Sequence, residues 1–333
     1  MKKLLYIFIL ILIDQMLLSQ QLPIYSQYLY NKFLINPATA GSDGYTSLNI
    51  TARQQWLGYA EAPRTFSASG QARILKREYL IRENIFNKNI YRPKTDGKVG
   101  LGGYVFSDEN GRVQKTGFQF TYSYHFWLQY KTQLSLGIAL TGYHFKVNVN
   151  SGSFEDPNEP WLDDYNLRKG IFVPDADFGA YILNPNYDVG FSVAQLFGGA
   201  ARIGGSAYSR YKMYRQYNLF GSYSLYYGNK AELKPSVLIT MSEQLNPLAD
   251  LGVTFIYDKK LWAGLSFRTP GAAIANCGAA FDINKIKMMS LYIGYSVDFT
   301  MNKIQQQTYG THELTIAMKF GATSKRFRWL DRF

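Results

Sequence analysis

The residues best able to do chemistry in this chain are three histidines and a group of acidic side chains. His125, His144 and His312 are far apart and lack the spacing of metal ligands, such as an i, i+4 pair. The acidic group has the oxygen ligands that calcium prefers, but its spacing is not that of an EF-hand. Its members are Glu155, Asp156, Glu159, Asp163, Asp164, Asp175 and Asp177. We interpret the histidines as polar groups that fill an interior and the acidic residues as solvated loop charges.

No other pattern in the sequence indicates catalysis. The glycine-rich segments 100–103 and 198–205 are not followed by a helical pattern, so neither resembles a phosphate-binding loop. Ser–His–Asp and Cys–His arrangements are not apparent, and the single Cys277 cannot form an internal disulfide. The sequence therefore predicts a protein that is not an enzyme and that has no catalytic, cofactor or metal site.

The elements that carry these residues follow a period of two, most clearly in the stretch 117–127. One parity holds Phe118, Phe120, Tyr122, Tyr124 and Phe126, and the other holds Gln119, Thr121, Ser123 and His125. Successive side chains of a strand point to opposite faces, so this stretch is a strand with one aromatic and one polar face. The aromatic face contacts either a second protein layer, as in a sandwich, or lipid, as in a membrane barrel.

The same alternation recurs from Ser47 to Phe320 and predicts about 14 strands. They lie near 47–56, 65–74, 99–106, 114–127, 132–146, 175–184, 187–197, 212–227, 233–243, 249–258, 260–268, 275–283, 289–300 and 310–320. The predicted fold is an all-β transmembrane antiparallel β-barrel, because an even number of half-apolar strands is typical of bacterial outer-membrane barrels. Trp56, Trp127, Trp262, Tyr143, Tyr226 and Tyr227 lie near strand ends, where aromatic side chains mark the membrane interface.

Charged residues within these strands favour the membrane interpretation. Seven of them fall on the polar parity, as expected if the other parity faces lipid, where a charge at the midplane costs about 2–4 kcal/mol. They are Arg53, Arg73, Asp177, Arg268, Asp298, Glu313 and Lys319. We therefore predict that these seven side chains line the lumen.

Short and long connections alternate along the chain, as periplasmic turns and outer loops do in such barrels. The long connections are 147–174, 198–211, 244–248, 269–274 and 301–309. Segment 75–98 breaks the alternation, since it is long and basic but falls on the expected periplasmic side. It is either a basic docking segment or a hairpin that the alternation does not reveal.

The two ends of the chain differ from the predicted barrel. Residues 1–19 resemble a secretory signal peptide, with Lys2 and Lys3 before an apolar run and Ser19 at the expected cleavage site. Residues 20–46 form a Tyr- and Pro-containing arm or plug, 47–320 the barrel and 321–333 a basic aromatic tail. Cleavage lowers the net charge only from +12 to +11, so an exported chain of this kind is expected to meet acidic lipid or protein and not nucleic acid.

Several short motifs resemble those of one known family. They comprise Tyr25, Gln27, Tyr28 and Asn31; Asn36, Pro37 and Gly41; Arg53, Gln55, Trp56 and Gly58; Pro63, Arg64 and Thr65; the segment 102–111; and Glu313-Leu314-Thr315. Together they are similar to the signature of the PorP/SprF family of type IX secretion system outer-membrane proteins of Bacteroidetes. Lys32 departs from the pattern, which has proline after the Tyr-Asn pair.

The resemblance implies an outer-membrane barrel without a cofactor. Its relatives act in secretion, surface retention or motility coupling of a large secreted protein, such as an adhesin with a type IX C-terminal sorting domain. Other secretion or gliding components and outer-membrane lipid are the further expected partners. Within this frame Arg53 can pair with Glu313, because an unpaired charge in a narrow lumen is costly; alternatively, the motif residues only close and plug the barrel. A pore for small solutes or hydrophobic ligands is the alternative function.

Overall fold

The fold is all-β, as predicted, and its strands form one closed antiparallel barrel. The computed structural model describes residues 24–74, 98–128, 132–147, 170–198, 214–228, 230–243, 247–283, 289–301 and 306–320. Among these residues, no helix has the length and apolar character needed to cross a membrane.

Fifteen strand segments form the sheet. Strands that follow one another in the sequence lie side by side, and the first strand also pairs with the last. They are β1 (Thr46–Gln54), β2 (Arg64–Ile74), β3 (Val99–Asn110), β4 (Val113–Trp127), β5 (Gln133–Val147), β6 (Ile171–Leu183), β7 (Tyr187–Ala194), β8 (Gln216–Tyr223), β9 (Leu225–Tyr227), β10 (Ala231–Ser242), β11 (Pro247–Tyr257), β12 (Leu261–Arg268), β13 (Ala272–Asp282), β14 (Met289–Thr300) and β15 (Thr311–Phe320). Segments β8 and β9 both pair with β10 and are two halves of one barrel strand. The barrel therefore has the predicted 14 strands.

Closure is made by the first and last strands. β1 pairs with β2 on one side and with β15 on the other, from Thr46 opposite Phe320 to Gln54 opposite His312. We call the end of the barrel at Thr46 and Phe320 the terminal rim, and the other end, which begins with the connection 55–63, the loop rim. Because the strands run up and down in sequence order, each connection can be assigned to one rim.

The two faces of the wall differ as the alternation predicts. On the outer face, Leu140 is 69% and Phe120 67% exposed, whereas the inner-face residues Ser123 and His125 are fully buried. Six of the seven strand charges lie buried on the inner face, and the Lys319 side chain, at 12% exposure, lies on it near the terminal rim. No second protein layer covers the outer face in the described part of the chain.

The strand predicted at 212–227 is interrupted, and proline explains why. β10 pairs with β9 up to Leu233 and with β8 from Ser236, so the ladder is broken beside Pro235. Proline has no N–H to donate to a neighbouring strand. The opposing Ser224 instead donates its N–H to the carbonyl oxygen of Asn186 at 2.7 Å.

Several other predictions need correction. Tyr143 and Trp262 do not belong to an interfacial belt, because both are buried on the inner face. The connection predicted at 269–274 is shorter, since β13 begins at Ala272. The signal peptide 1–19, the basic segment 75–98 and the tail 321–333 lie outside the described residues, as do most of the loops 147–174 and 198–211.

Candidate functional site: a plug anchored in the barrel lumen

The described part of the arm, residues 24–45, lies inside the barrel as a plug. Two 3-10 turns, Lys32–Leu34 and Pro37–Thr39, shape it. Asn36 begins the second turn, and its Oδ1 accepts the N–H of Ala38 at 2.8 Å, which is why an Asn-Pro pair starts this turn. Gly41 has a positive φ of 66° and packs against the backbone of Ala72, where a side chain would collide.

One end of the plug is held at the seam where β1 meets β15. The Glu313 carboxylate accepts the backbone N–H groups of Ser26 at 2.8 Å and Gln27 at 2.9 Å. Arg53 of β1 donates to Glu313 at 2.9 Å, to Asp298 at 2.8 Å and to the Ser26 hydroxyl at 2.6 Å. The Arg53–Glu313 pair anticipated above is thus present, and the plug completes it.

This seam cluster extends to the next strands. Arg268 donates to both carboxylate oxygens of Asp250, at 2.7 and 2.8 Å, and lies 3.5 Å from Asp298. Two guanidinium groups thus face three carboxylates, which include Glu313. Taking such charges out of water is costly unless every charge is paired and hydrogen-bonded. The three carboxylates outnumber the two guanidinium groups by one. The backbone N–H groups of Ser26 and Gln27 compensate for this, because both donate hydrogen bonds to Glu313.

A second ion pair fixes the middle of the plug. The Lys32 ammonium lies 2.6 Å from the Asp188 carboxylate of β7, and both side chains are almost fully buried. Ser222 of β8 also donates to Asp188. Lys32, the residue that departs from the expected family pattern, therefore makes a buried electrostatic contact to the wall.

A row of small side chains on the inner wall receives the segment from Asn36 to Ala40. Strand register places Gly100, Ser123, Gly137, Gly179 and Ser192 side by side on five neighbouring strands. A Cβ atom at any of these three glycines would collide with the plug. The Ser123 hydroxyl donates to the carbonyl oxygen of Ala40 at 2.6 Å, and that of Ser192 donates to Ile35 at 2.6 Å. Sequence analysis missed this groove, since only the register aligns its members.

The histidines do not share one role. His125 fills the interior as expected, and its ring nitrogens lie 2.7 Å from the Ser135 hydroxyl and 3.0 Å from the carbonyl oxygen of Ala40. The expectation was wrong for His144 and His312, which lie on the outer parity of their strands. His312 is instead 2.6 Å from the Tyr295 hydroxyl and near the loop rim.

Among the acidic residues, Asp175 was assigned wrongly, and for Asp177 the structure shows the predicted lumen position and not the loop position. Asp175 and Asp177 are buried on the inner face of β6 and are not solvated loop charges. Their carboxylates accept the backbone N–H groups of Phe197 and Gln195, each at 2.8 Å, where β7 ends. The other five acidic residues lie outside the described ranges. Within those ranges, no group of three or more His, Cys, Asp or Glu side chains is placed to hold a metal ion.

The remaining motif residues lie in the plug and at the loop rim. Tyr25, Tyr28 and Asn31 are buried in the plug, and burial raises the pKa of Tyr28 to about 12, so its hydroxyl stays protonated. Gln55 and Pro63 pair across the first connection through an N–H···O bond of 2.9 Å.

Four further motif residues shape the start of that connection and of β2. Gly58 has a φ of 93° and lies under the ring of Tyr309, while Trp56 has a positive φ of 45°. Arg64 is exposed at the start of β2, and the Thr65 hydroxyl donates to Asp108 at 2.6 Å. These residues therefore build the loop rim above the seam.

The two remaining lumen charges lie toward the terminal rim. Arg73 donates to Gln133 at 3.1 Å and lies 5.5 Å from the ring centre of Trp127. Lys319 lies 3.9 Å from Asp43, where the plug passes into β1. Burial raises the pKa of the Asp43 carboxyl, and the nearby Lys319 opposes this effect.

Solved structures similar to this chain are outer-membrane barrels with little sequence identity. The CymD monoaromatic hydrocarbon channel has 10% identity and a TM-score of 0.50, with 92% of this chain and 95% of that chain covered. A Pseudomonas aeruginosa FadL homologue has 11% identity and a TM-score of 0.47, with 90% and 94% covered. The Escherichia coli outer membrane phospholipase A has 10% identity and a TM-score of 0.34, with 86% and 98% covered. A comparison with curated proteins finds no match.

Fold and site together define an outer-membrane β-barrel whose lumen holds an N-terminal plug. The family model described as type IX secretion system membrane protein PorP/SprF matches residues 17–318. The chain therefore belongs to the PorP/SprF family, and it is a barrel of the outer membrane associated with type IX secretion.

Proposed function

We propose that the protein is a non-enzymatic adaptor that couples a large secreted protein to the type IX secretion system. The partner is a protein with a type IX C-terminal sorting domain, such as an adhesin, which the adaptor helps to secrete, retain at the surface or connect to gliding components. In this proposal residues 1–19 are a signal peptide that is removed on export.

The observation that carries the proposal is the filled lumen. Between plug and wall, two cavities of about 30 and 20 Å³ are each about large enough for one water molecule. The plug contacts β1, β7, β14 and β15 through buried charges. A barrel sealed in this way presents surfaces to partners and is not built as an open path for solutes.

The two rims have different roles in this proposal. We expect the loop rim to face the exterior and to receive the cargo through the loops 147–174 and 198–211. The strands that flank the basic segment 75–98 and precede the tail 321–333 all end at the terminal rim. The terminal rim is then periplasmic. The basic residues of segment 75–98 and of the tail favour binding of an acidic secretion or motor component there.

Crosslinking on intact cells tests the adaptor function. We expect the native barrel to be recovered covalently attached to one large exported protein, identified by mass spectrometry. A variant that lacks residues 199–211 should keep its fold and lose that attachment, whereas a variant shortened in the connection between β9 and β10 at the terminal rim should keep it. Recovery of the barrel without any exported protein would contradict the proposal.

The alternative is a pore for small solutes or hydrophobic ligands. Planar bilayer conductance separates the two functions, because the plugged adaptor should not conduct ions until the arm is deleted. Steady conductance by the full chain would favour the pore. The similarity to the CymD channel concerns the fold alone and does not decide between them.

A further inference from the structure

The plug has two parts that the wall holds by different means. We call residues 36–41 the strut and residues 25–31 the latch. The strut fits against glycines of the wall, and its own polar groups are paired. Asn36 Nδ2 donates to the carbonyl oxygens of Ala180 at 3.0 Å and Phe191 at 3.2 Å, and the Thr39 hydroxyl donates to Asn36 at 2.8 Å.

The latch is held mainly through polar and aromatic contacts. Its strongest bonds are those of the Ser26 and Gln27 N–H groups to Glu313, because hydrogen bonds to a carboxylate are stronger than neutral ones. Asn31 Nδ2 donates to Ser69 at 3.1 Å, and the ring of Tyr30 stacks on Trp262 at 4.6 Å. Loss of the Glu313 contact therefore removes the strongest polar attachment of this part, whose Tyr28 also packs in an apolar cluster with Ala38 and Phe220.

Polar atoms at the latch are incompletely satisfied. Within the described residues Gln27 Oε1, Asn31 Oδ1, Trp262 Nε1 and Asp298 Oδ1 are buried without a hydrogen-bond partner. Gln27, Tyr30 and Trp262 also line the cavity of about 20 Å³. A partly satisfied polar interface gains hydrogen bonds when water enters, so separating it costs less than separating the paired contacts of the strut.

Chain connectivity also indicates that the latch separates more easily than the strut. The strut continues through Asp43 into β1 and cannot leave without disturbing the barrel. We propose that the plug is a two-part device in which the latch is released from the wall while the strut stays in place. Release exposes a passage along β1, β11, β12, β14 and β15. Its lining carries Glu313, Asp298 and Asp250 against Arg53 and Arg268, with Lys319 toward the terminal rim.

Thiol labelling in phospholipid vesicles tests this device without any partner, so the result does not depend on the adaptor function. In a Cys277→Ser background, Leu29→Cys reports on the latch and Thr39→Cys on the strut. We expect Glu313→Gln to raise the labelling rate at position 29 by about tenfold or more, the effect of losing a charge-assisted hydrogen bond. Labelling at position 39 should not change. Asp282→Asn, an exposed carboxylate paired with Lys260, is the control and should change neither rate.

Equal acceleration at positions 29 and 39 would show that the plug leaves as one unit and would overturn the proposal. Acceleration at position 39 alone, or at neither position, would also overturn it. Hydrogen exchange of the native chain gives a second measurement that needs no variant, in case Glu313→Gln does not fold. The amides of residues 26–30 should exchange about tenfold or more faster than those of residues 38–42, as expected for a unit that opens separately. Equal exchange rates would again contradict the two-part plug.

Discussion

The outer and inner faces of the same strands obey different physical rules. The outer face is a surface of large, exposed apolar side chains, among them Leu140 and Phe120, which meet lipid. The inner face is a set of individual contacts, in which Arg53 meets Glu313 and Gly137 meets Ala38. The difference teaches that an outer-face position needs only an apolar side chain, whereas an inner-face position needs a particular residue. Substitutions at matched positions of the two faces test this distinction.

The largest effect is expected from Arg53→Met on the inner face. The change removes the guanidinium partner of the buried Glu313 and leaves Asp298 with Arg268 at 3.5 Å; losing one partner of a buried pair costs about 3–5 kcal/mol. Urea unfolding in phospholipid vesicles measures the free energy. Arg215→Met, which removes a partly exposed pair with Glu243, is the control and should cost about 1 kcal/mol or less. Equal losses for the two variants would argue against the seam cluster as the main anchor.

The second largest loss of stability is expected from a charge placed on the outer face. Leu140→Lys places an ammonium near the middle of β5, where lipid contact makes it cost about 2–4 kcal/mol. Leu261→Lys, at the start of β12 beside the terminal rim, should cost about 0–1 kcal/mol because its charge reaches water. Urea unfolding in phospholipid vesicles measures both costs. A similar cost at the two positions would mean that the outer face does not contact a bilayer.

Glycine substitutions compare tight and roomy positions of the wall. In Gly137→Ala the new methyl group meets the backbone of Ala38, so we expect a loss of about 1–3 kcal/mol through overpacking. The control is Gly221→Ala, whose nearest neighbour would be 3.4 Å away and whose stability should change by less than about 0.5 kcal/mol. If thermal unfolding finds the two variants equally stable, the strut does not depend on the groove.

The smallest difference is expected from two conservative changes on adjacent residues of β1. Thr51→Val removes a buried hydroxyl that lies 3.2 Å from that of Thr315, and should cost about 0.5–1.5 kcal/mol. Ile50→Val, on the lipid face at 57% exposure, should be nearly neutral because lipid fills the space of the lost methylene. Urea midpoints of the two variants provide the comparison, and a larger loss for Ile50→Val would reverse the assignment of the faces.

Part of the site could be predicted from the sequence because its signal is local. Arg53, Asp298 and Glu313 fall on the polar parity of their strands, so their inner position follows from counting residues. The pairing of Arg53 with Glu313 needed only the additional idea that the first and last strands close the barrel. Neither the sharing of Arg53 with Asp298 nor the contact of Lys32 with Asp188 has a local signal, since these partners are 245 and 156 residues apart.

The sequence by itself determined the strand type, the number of strands and the separation of lipid-facing from inward residues, because a strand imposes a period of two on neighbouring side chains. Only the tertiary structure decided how the plug fits. Register between five strands aligns the wall glycines, and closure brings β1, β14 and β15 around the Ser26–Gln27 turn. Such contacts depend on the three-dimensional path of the whole chain, and no spacing in the sequence records them.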